Sequence, residues 1–390
     1  LANDTLDQIA FSDTDIEIIK KQIYKTGFVL ENKICKLLEE NQWSVINNRY
    51  YLDDVENKDR EIDIIAYKAS PVGDILYYTT FVISCKKSND KLWAFLTKDV
   101  KESDPNTNLY PINNWTNNKI LTFMLETIDI EERILNSCED NEFLDFVYGM
   151  DKQVFAFQQL NKKSFAPQND KDIYNSITTT IRALEYEKNS LDKRIKSEAL
   201  YNFNVLSIFD GEMIEVYFDD NEEKITQVDE IKYLNRHIVN KKESFYRVHF
   251  MQYKNLESYI TKLNDLHTFH VEFYSGLINE YYEKVTDFEY DKGFALFREE
   301  FEMEVVWGLH QHLQSYNYNE FLDITSIRYN KNEEMLYIYL SSLDTTFEYE
   351  EQAVDVLNAD EEAIKFTKRA LKEIYKYTGE FKFSAVYLPF

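Results

Sequence analysis

Two residues in the first quarter of the chain have the types and the setting of a reactive pair: Asp63 in REIDIIAYK (60–68) and Lys86 in YYTTFVISCKKS (77–88). Both runs are rich in Ile, Val, Tyr, Phe and Thr, and SPVGD between them supplies turn residues, so two neighbouring antiparallel strands are expected. Alternation along a strand puts Glu61, Asp63 and Ile65 on one face of the first, and Val82, Ser84 and Lys86 on one face of the second. The opposite faces, Ile62, Ile64 and Ala66 with Phe81, Ile83 and Cys85, are apolar. A carboxylate and a lysine are thus held side by side on a sheet apolar enough to be a domain's centre. Burying either one unpaired is costly, which weighs against a purely structural role.

A strand Asp followed by a strand that ends in x-x-Lys resembles the PD-(D/E)XK nucleases, the restriction-endonuclease-like superfamily. The resemblance spans roughly residues 13–90, with 170–218 matching loosely. It implies an α/β fold whose core is a helix, a three-stranded antiparallel meander, a helix and a strand. It also implies that Asp63 binds Mg²⁺ or Mn²⁺ and that Lys86 orients or activates the attacking water. The departure is Ser84, which stands where the family has Glu or Asp; some members carry Ser there and bring the carboxylate from a helix. That role would fall to Glu31, with the Cys85 backbone carbonyl as a further ligand. Glu61 could supply the charge that Ser84 lacks, or pair with Lys86. The implied activity is hydrolysis of nucleic-acid phosphodiester bonds, DNA first, in a setting such as defence against foreign DNA, with a protein partner or self-assembly. The rival reading is a catalytically inactive nuclease fold used for binding or assembly.

The elements that must position these residues follow from periodicity. Residues 12–41 open on Ser and Asp capping signals and carry Ile16, Ile19, Ile23, Leu30, Ile34, Leu37 and Leu38 at helical spacing, as one long helix or two joined near Gly27. At about 100° per residue, Gly27, Glu31, Cys35 and Leu38 fall nearly on one line, so Glu31 borders the core-facing stripe. WSVINNRYYLDD (43–54) reads as the first strand and NKDR as the turn into the second. Residues 92–150 read as an insertion, with LWAFLTKDV a short helix and an Asn-rich loop behind it. VFAFQQLNKK (154–163) and DIYNSITTTIRALEYEKN (172–189) read as helical, offering Gln158, Gln159 and Arg182 to the site. FNVLSIFDG and EMIEVYFDD read as a hairpin about Asp210-Gly211, with 203–209 as the fourth core strand. Further strands and a helix extend this domain to about residue 290, and 291–390 form a C-terminal α/β unit of unassigned role.

The chain has 390 residues with 44% hydrophobic content, 27 Phe and 29 Tyr, against 8 Gly and 5 Pro, so it is folded throughout. Three cysteines, Cys35, Cys85 and Cys138, with no CxxC or Cys-His spacing, argue against disulfides or structural zinc. No signal-peptide pattern opens the sequence and no apolar run approaches the ~20 residues of a membrane span, so a cytoplasmic setting without membrane contact is expected. The net charge of -26 is the wrong sign for binding nucleic acid over a broad surface. Phosphate contacts must then be local, from Lys87, Lys91, Lys162 and Lys163, with Gln158 beside them. His267 with His270 and His310 with His312 lack a third ligand at recognisable spacing and read as ordinary polar residues. No GxxxxGK[ST], GxGxxG or GxSxG occurs, which leaves a P-loop, a dinucleotide fold and a hydrolase elbow without their signatures.

Overall fold

The structure, a computed structural model, describes residues 11–53, 58–101, 108–139, 141–150, 152–218, 222–239 and 242–385. The described residues divide into two compact units, the first ending at Asn118 and resuming over Ile128–Glu272, the second made of Lys119–Thr127 and the chain from Phe273 onward. This division falls inside a long helix, whereas the sequence reading placed a boundary near 290.

The first unit opens with helices α1 (Asp13–Ile23) and α2 (Gly27–Glu40). Ser12 and Asp15 form a reciprocal cap at the start of α1, yet α1 buries nothing, and Ile16, Ile19 and Ile23 are exposed. Helix α2 buries Leu30, Ile34, Cys35 and Leu38. Strands β1 (Ser44–Asp53), β2 (Lys58–Val72) and β3 (Ile75–Asp99) then form an antiparallel meander. Lys58, Asp59 and Arg60 already pair with β1, so most of the expected NKDR turn is strand. The β2–β3 hairpin closes through Gly73, whose φ of +60° suits the tight turn between Val72 and Ile75.

After β4 (Asn113–Thr116) and helices α3 (Lys119–Thr127), α4 (Ile130–Glu139) and α5 (Glu142–Tyr148) come β5 (Lys152–Asn161), β6 (Pro167–Gln168), α6 (Lys171–Arg194) and β7 (Ala199–Phe218). The sheet continues with β8 (Glu223–Val228), β9 (Glu230–Val239) and β10 (Lys242–Gln252), and the helix α7 (Leu256–Glu283) follows. Ten strands form one sheet with the order β1-β2-β3-β7-β10-β9; β5 also pairs with β3, and β4 and β8 with β7.

Three sequence expectations are corrected here. LWAFLTKDV is the second half of β3: Leu92, Trp93, Ala94 and Phe95 are all buried, and a run buried on both faces carries no period to distinguish strand from helix. VFAFQQLNKK is β5, antiparallel to β3, so Gln158 and Gln159 come from a strand. Asp210-Gly211 is no turn, because β7 runs straight through it alongside β3. Glycine is required there for space: a Cβ on Gly211 would lie 2.3 Å from the Phe209 ring, which stacks at 3.9 Å on Trp93.

Helix α6 packs on one face of this sheet with Ile173, Ile177, Ile181 and Leu184 against Val82, Trp93, Val205 and Phe209. Helix α7 is pinned to β2 and β3 by a buried polar chain in which Ser70 Oγ meets His267 Nε2 at 2.9 Å and Thr79 Oγ1 meets His267 Nδ1 at 3.1 Å and His270 Nδ1 at 2.8 Å. His270 Nε2 meets the Tyr148 hydroxyl at 2.7 Å. The histidines read as ordinary polar residues are thus structural ones.

The second unit, considered by itself, contains α3, α8 (Lys292–Ala295), α9 (Arg298–Ser315), β11 (Asp323–Asn330), β12 (Met335–Ser341), α10 (Phe347–Ala359), α11 (Glu361–Tyr375) and β13 (Phe381–Ala385). Its sheet has the order β11-β12-β13. His312 there meets Asp360 at 3.1 Å and His310 meets Gln314 at 3.0 Å.

Burial, with the Lys68 charge, brings the His267 imidazole down to about 4, and burial, with His267 beside it, brings His270 down to about 3. Both are neutral in the fold at pH values where the unfolded chain, titrating near 6.5, already takes up protons. Stability is therefore complete above pH ~6.5 and is lost as pH falls from there toward about 4 and 3, by about 1.4 kcal/mol per pH unit per histidine as an upper bound. Urea unfolding between pH 7.5 and 5 should show this loss, and a His267→Asn/His270→Asn double variant, less stable at neutral pH, should show a flatter pH dependence. Equal slopes in both proteins would be the contrary result.

Candidate metal and phosphate site

The first half of β3 is flanked by β2, with pairing that ends at Ile64 and Ile83, and the second half by β5, with pairing that begins at Lys91. Across residues 84–90 no described strand occupies that edge. On its other edge β3 stays paired with β7 up to Lys87 opposite Asp210 and resumes at Leu92 opposite Glu212, so Ser88, Asn89 and Asp90 loop out. The gap is opened from the β2 side as well. Arg49 and Ile62 face α6, since Arg49 pairs with Glu187 there, while Ile46 and Ile65 line a cavity against the same helix. Residues three apart cannot share a face of a regular strand, so the alternation breaks between them, at Asn48 and Asp63. Asn48 has φ +51°, a left-handed conformation that Asn tolerates, and the Asn48–Asp63 pair is missing from an otherwise continuous ladder. The expected common face for Glu61, Asp63 and Ile65 is corrected by this kink.

Asp63 uses the gap. Its Oδ2 accepts the Cys85 backbone N–H at 2.7 Å, the Ser84 hydroxyl at 3.3 Å and the Lys86 ammonium at 3.3 Å. The carboxylate therefore stands in for the missing ladder partner, and none of the described residues bonds Oδ1. Side chains of Lys86 and Asp63 remain 29% and 23% exposed, so the pair is open to solvent and ligands. Lys86 also donates to the Cys85 carbonyl at 3.2 Å. Burial raises the Cys85 thiol well above its ordinary value, so it stays protonated and offers no thiolate.

Glu31 comes from α2, where its Oε1 would be 3.4 Å from a Cβ on Gly27. Burial pushes its carboxyl upward, the Asp63 charge adds to this, Lys86 offsets part and Glu61 adds a little. The two carboxylates are thus close enough to repel. Glu61 is exposed on β2 opposite Tyr50 and shares a shallow cleft with Asp63, Ser84, Thr179 and Thr180. Its expected alternative role as the Lys86 partner is taken by Asp63.

The expected phosphate-binding lysines are engaged by acids. Lys87 pairs with Asp210 at 2.7 Å, Lys91 with Asp172 at 2.5 Å and Lys162 with Glu212 at 2.6 Å, while Lys163 is exposed. Gln158 donates to the Gln159 and Gln168 carbonyls and to Asp170, and buried Gln159 donates to Asp172 at 3.1 Å. Both glutamines therefore hold the start of α6. Arg182, on α6, is half-buried. Asp172, which sequence reasoning missed, links this helix to Lys91; burial would raise its carboxyl, but hydrogen bonds from Lys91 and Gln159, with the charges of Lys91 and Lys86, hold it below the usual range. The signal available was the acid in the first turn of a helix.

No group of three or more His, Cys, Asp or Glu side chains among the described residues is placed to hold a metal ion. A three-carboxylate cage is thereby excluded from the described geometry. What is present is the sparser donor set that Mg²⁺ accepts, one or two carboxylates with water and phosphate oxygens completing the shell. Oδ1 of Asp63 and the half-buried Glu31 carboxylate are of the donor types in that set. Comparison with family models, with curated proteins and with solved structures finds no match.

Mn²⁺ titrated into the protein and followed by calorimetry or paramagnetic resonance should report one weak site. Asp63→Asn should weaken it by about tenfold to a hundredfold and Glu31→Gln by less, because both remove charge from the donor set while keeping shape. Unchanged affinity in Asp63→Asn would place any bound ion elsewhere.

Proposed function

We propose that the chain is a metal-dependent phosphodiesterase that hydrolyses nucleic acid, DNA first, at Asp63 and Lys86. The observation that carries this reading is the gap in the edge of β3, where an open carboxylate oxygen and an ammonium meet, with the Glu31 carboxyl near enough to feel both charges. The element order supports a restriction-endonuclease-like core: α2, the β1-β2-β3 meander, α6, then β7 parallel to β3.

Asp63, Glu31 and the waters of the site would hold Mg²⁺ or Mn²⁺, which when bound supplies Lewis-acid polarisation of the phosphoryl oxygen and a more acidic water. Asp63 presents Oδ1 while the Cys85 N–H and Ser84 hydroxyl fix its plane through Oδ2. The Lys86 ammonium, held between Asp63 and the Cys85 carbonyl, places positive charge where a phosphoryl group gains negative charge. The Cys85 carbonyl helps to aim the ammonium and keeps a second lone pair for the metal.

One observation favours the second reading, a nuclease-fold binding or assembly module: Lys86, Lys87, Lys91 and Lys162 each already have a carboxylate partner. A polyanion would have to displace these acids. Plasmid and single-stranded substrates incubated with Mg²⁺ or Mn²⁺ separate the two readings. Under the first, Asp63→Ala should abolish cleavage and Lys86→Ala should reduce it by about a hundredfold or more. Cleavage undiminished in both variants, or none by the native protein, removes the first reading.

Ser84→Glu gives a further test. A new carboxylate would approach Asp63 Oδ2, which the serine hydroxyl now reaches at 3.3 Å. With Glu31 already in the donor set, like-charge repulsion should leave cleavage level or lower. A rise in both metal affinity and rate would instead mean that Glu31 does not serve.

A further inference from the structure

Further down α6 from the gap, a second feature carries a separate inference. A half-open cavity of about 260 Å³ lies between α6 and the sheet, lined in part by Tyr67, Tyr78, Tyr201, Thr80, Arg49 and Arg194. Typical small-molecule pockets run from roughly 300 to 1,000 Å³, so this one suits a ring and its substituent.

Two observations on its wall point to one ligand chemistry. Tyr78 and Tyr201 stack on each other at 4.1 Å with 6° between their planes, and Tyr67 lies 6.1 Å from Tyr78 at a tilt of 49°, so three aromatic rings line one side. Arg49 and Arg194 both pair with Glu187, at 3.0 and 2.8 Å, so the lining holds two guanidinium groups against one carboxylate.

We propose that this cavity binds a small planar aromatic anion, its ring against the tyrosines and its carboxylate or phosphate against the surplus guanidinium. A ring suits the tyrosine wall by edge-to-face contact, and Arg suits the anion because its fork matches both oxyanion types. The bound anion balances the second arginine in a chain whose overall charge of -26 would otherwise repel it. This site is independent of cleavage at Asp63 and does not rest on it.

Calorimetric titration of the full chain with benzoate and, separately, with adenosine monophosphate distinguishes the two anion sources, with adenosine and inorganic phosphate as half-ligands. Saturable binding of at least one anion, tighter than either half-ligand, is expected. Arg194→Gln, a partly exposed position that leaves the Arg49–Glu187 pair in place, should weaken it about tenfold. Tyr78→Leu should weaken it by a similar factor, with circular dichroism confirming that both variants fold. Absence of saturable binding of either anion up to about 10 mM overturns the proposal. So does binding that both variants leave unchanged.

Discussion

The candidate site depends on a change of partner along one strand. Strand β3 is 25 residues long and exchanges β2 for β5 midway, so a short stretch of its edge lacks the neighbour that backbone groups require. In an ordinary sheet that stretch would be a defect. Here the Asp63 carboxylate takes the Cys85 N–H, which fixes one oxygen in place and leaves the other open. The parallel partner β7 holds the far edge of β3 through residues 84–87, so the first part of the gap is backed by a paired strand. Asn48, in its left-handed conformation, lets β1 and β2 turn at the same level.

Charge around this gap is arranged in close pairs. Asp63 with Lys86, Asp210 with Lys87, Asp172 with Lys91 and Glu212 with Lys162 place acids from β2, β7 and α6 beside bases from β3 and the residues just after β5. Partly exposed pairs of this kind contribute little to stability, commonly about 0–1 kcal/mol, so they are poorly explained as struts. They do keep several ammonium groups close to one opening in a strongly acidic protein, where phosphate oxygens could exchange with carboxylates at small net cost.

Much of this was legible before any coordinates. The capped start of α1, the β2–β3 hairpin and the neighbouring places of Asp63 and Lys86 follow from helical period, turn residues and strand alternation, whereas the part given to Glu31 came with the family resemblance. Two of the failures have local causes. Residues 92–95 are buried on both faces, so that run loses its period, and Gly211 read as a turn when its missing side chain makes room for Phe209. The one-sided pattern in α1 was read correctly as helix, yet its apolar residues are exposed, since periodicity predicts a face and not what covers it. The break at Asn48 and Asp63 was invisible because a kink that keeps the register has no signature beyond a tolerant residue opposite the strand that turns.

Ser84 can be understood from the same gap. Within it Glu31, Asp63 and Glu61 carry three negative charges against Lys86, a net of two when all are ionised. Burial first, and then the Asp63 charge, push the Glu31 carboxyl upward, and a further carboxylate beside them would add repulsion. A hydroxyl at position 84 donates to Asp63 Oδ2, whereas a carboxylate there could only repel it. The serine is then the residue that the geometry of this chain favours: with an acid delivered from α2, the strand position can orient Asp63 instead of competing with it.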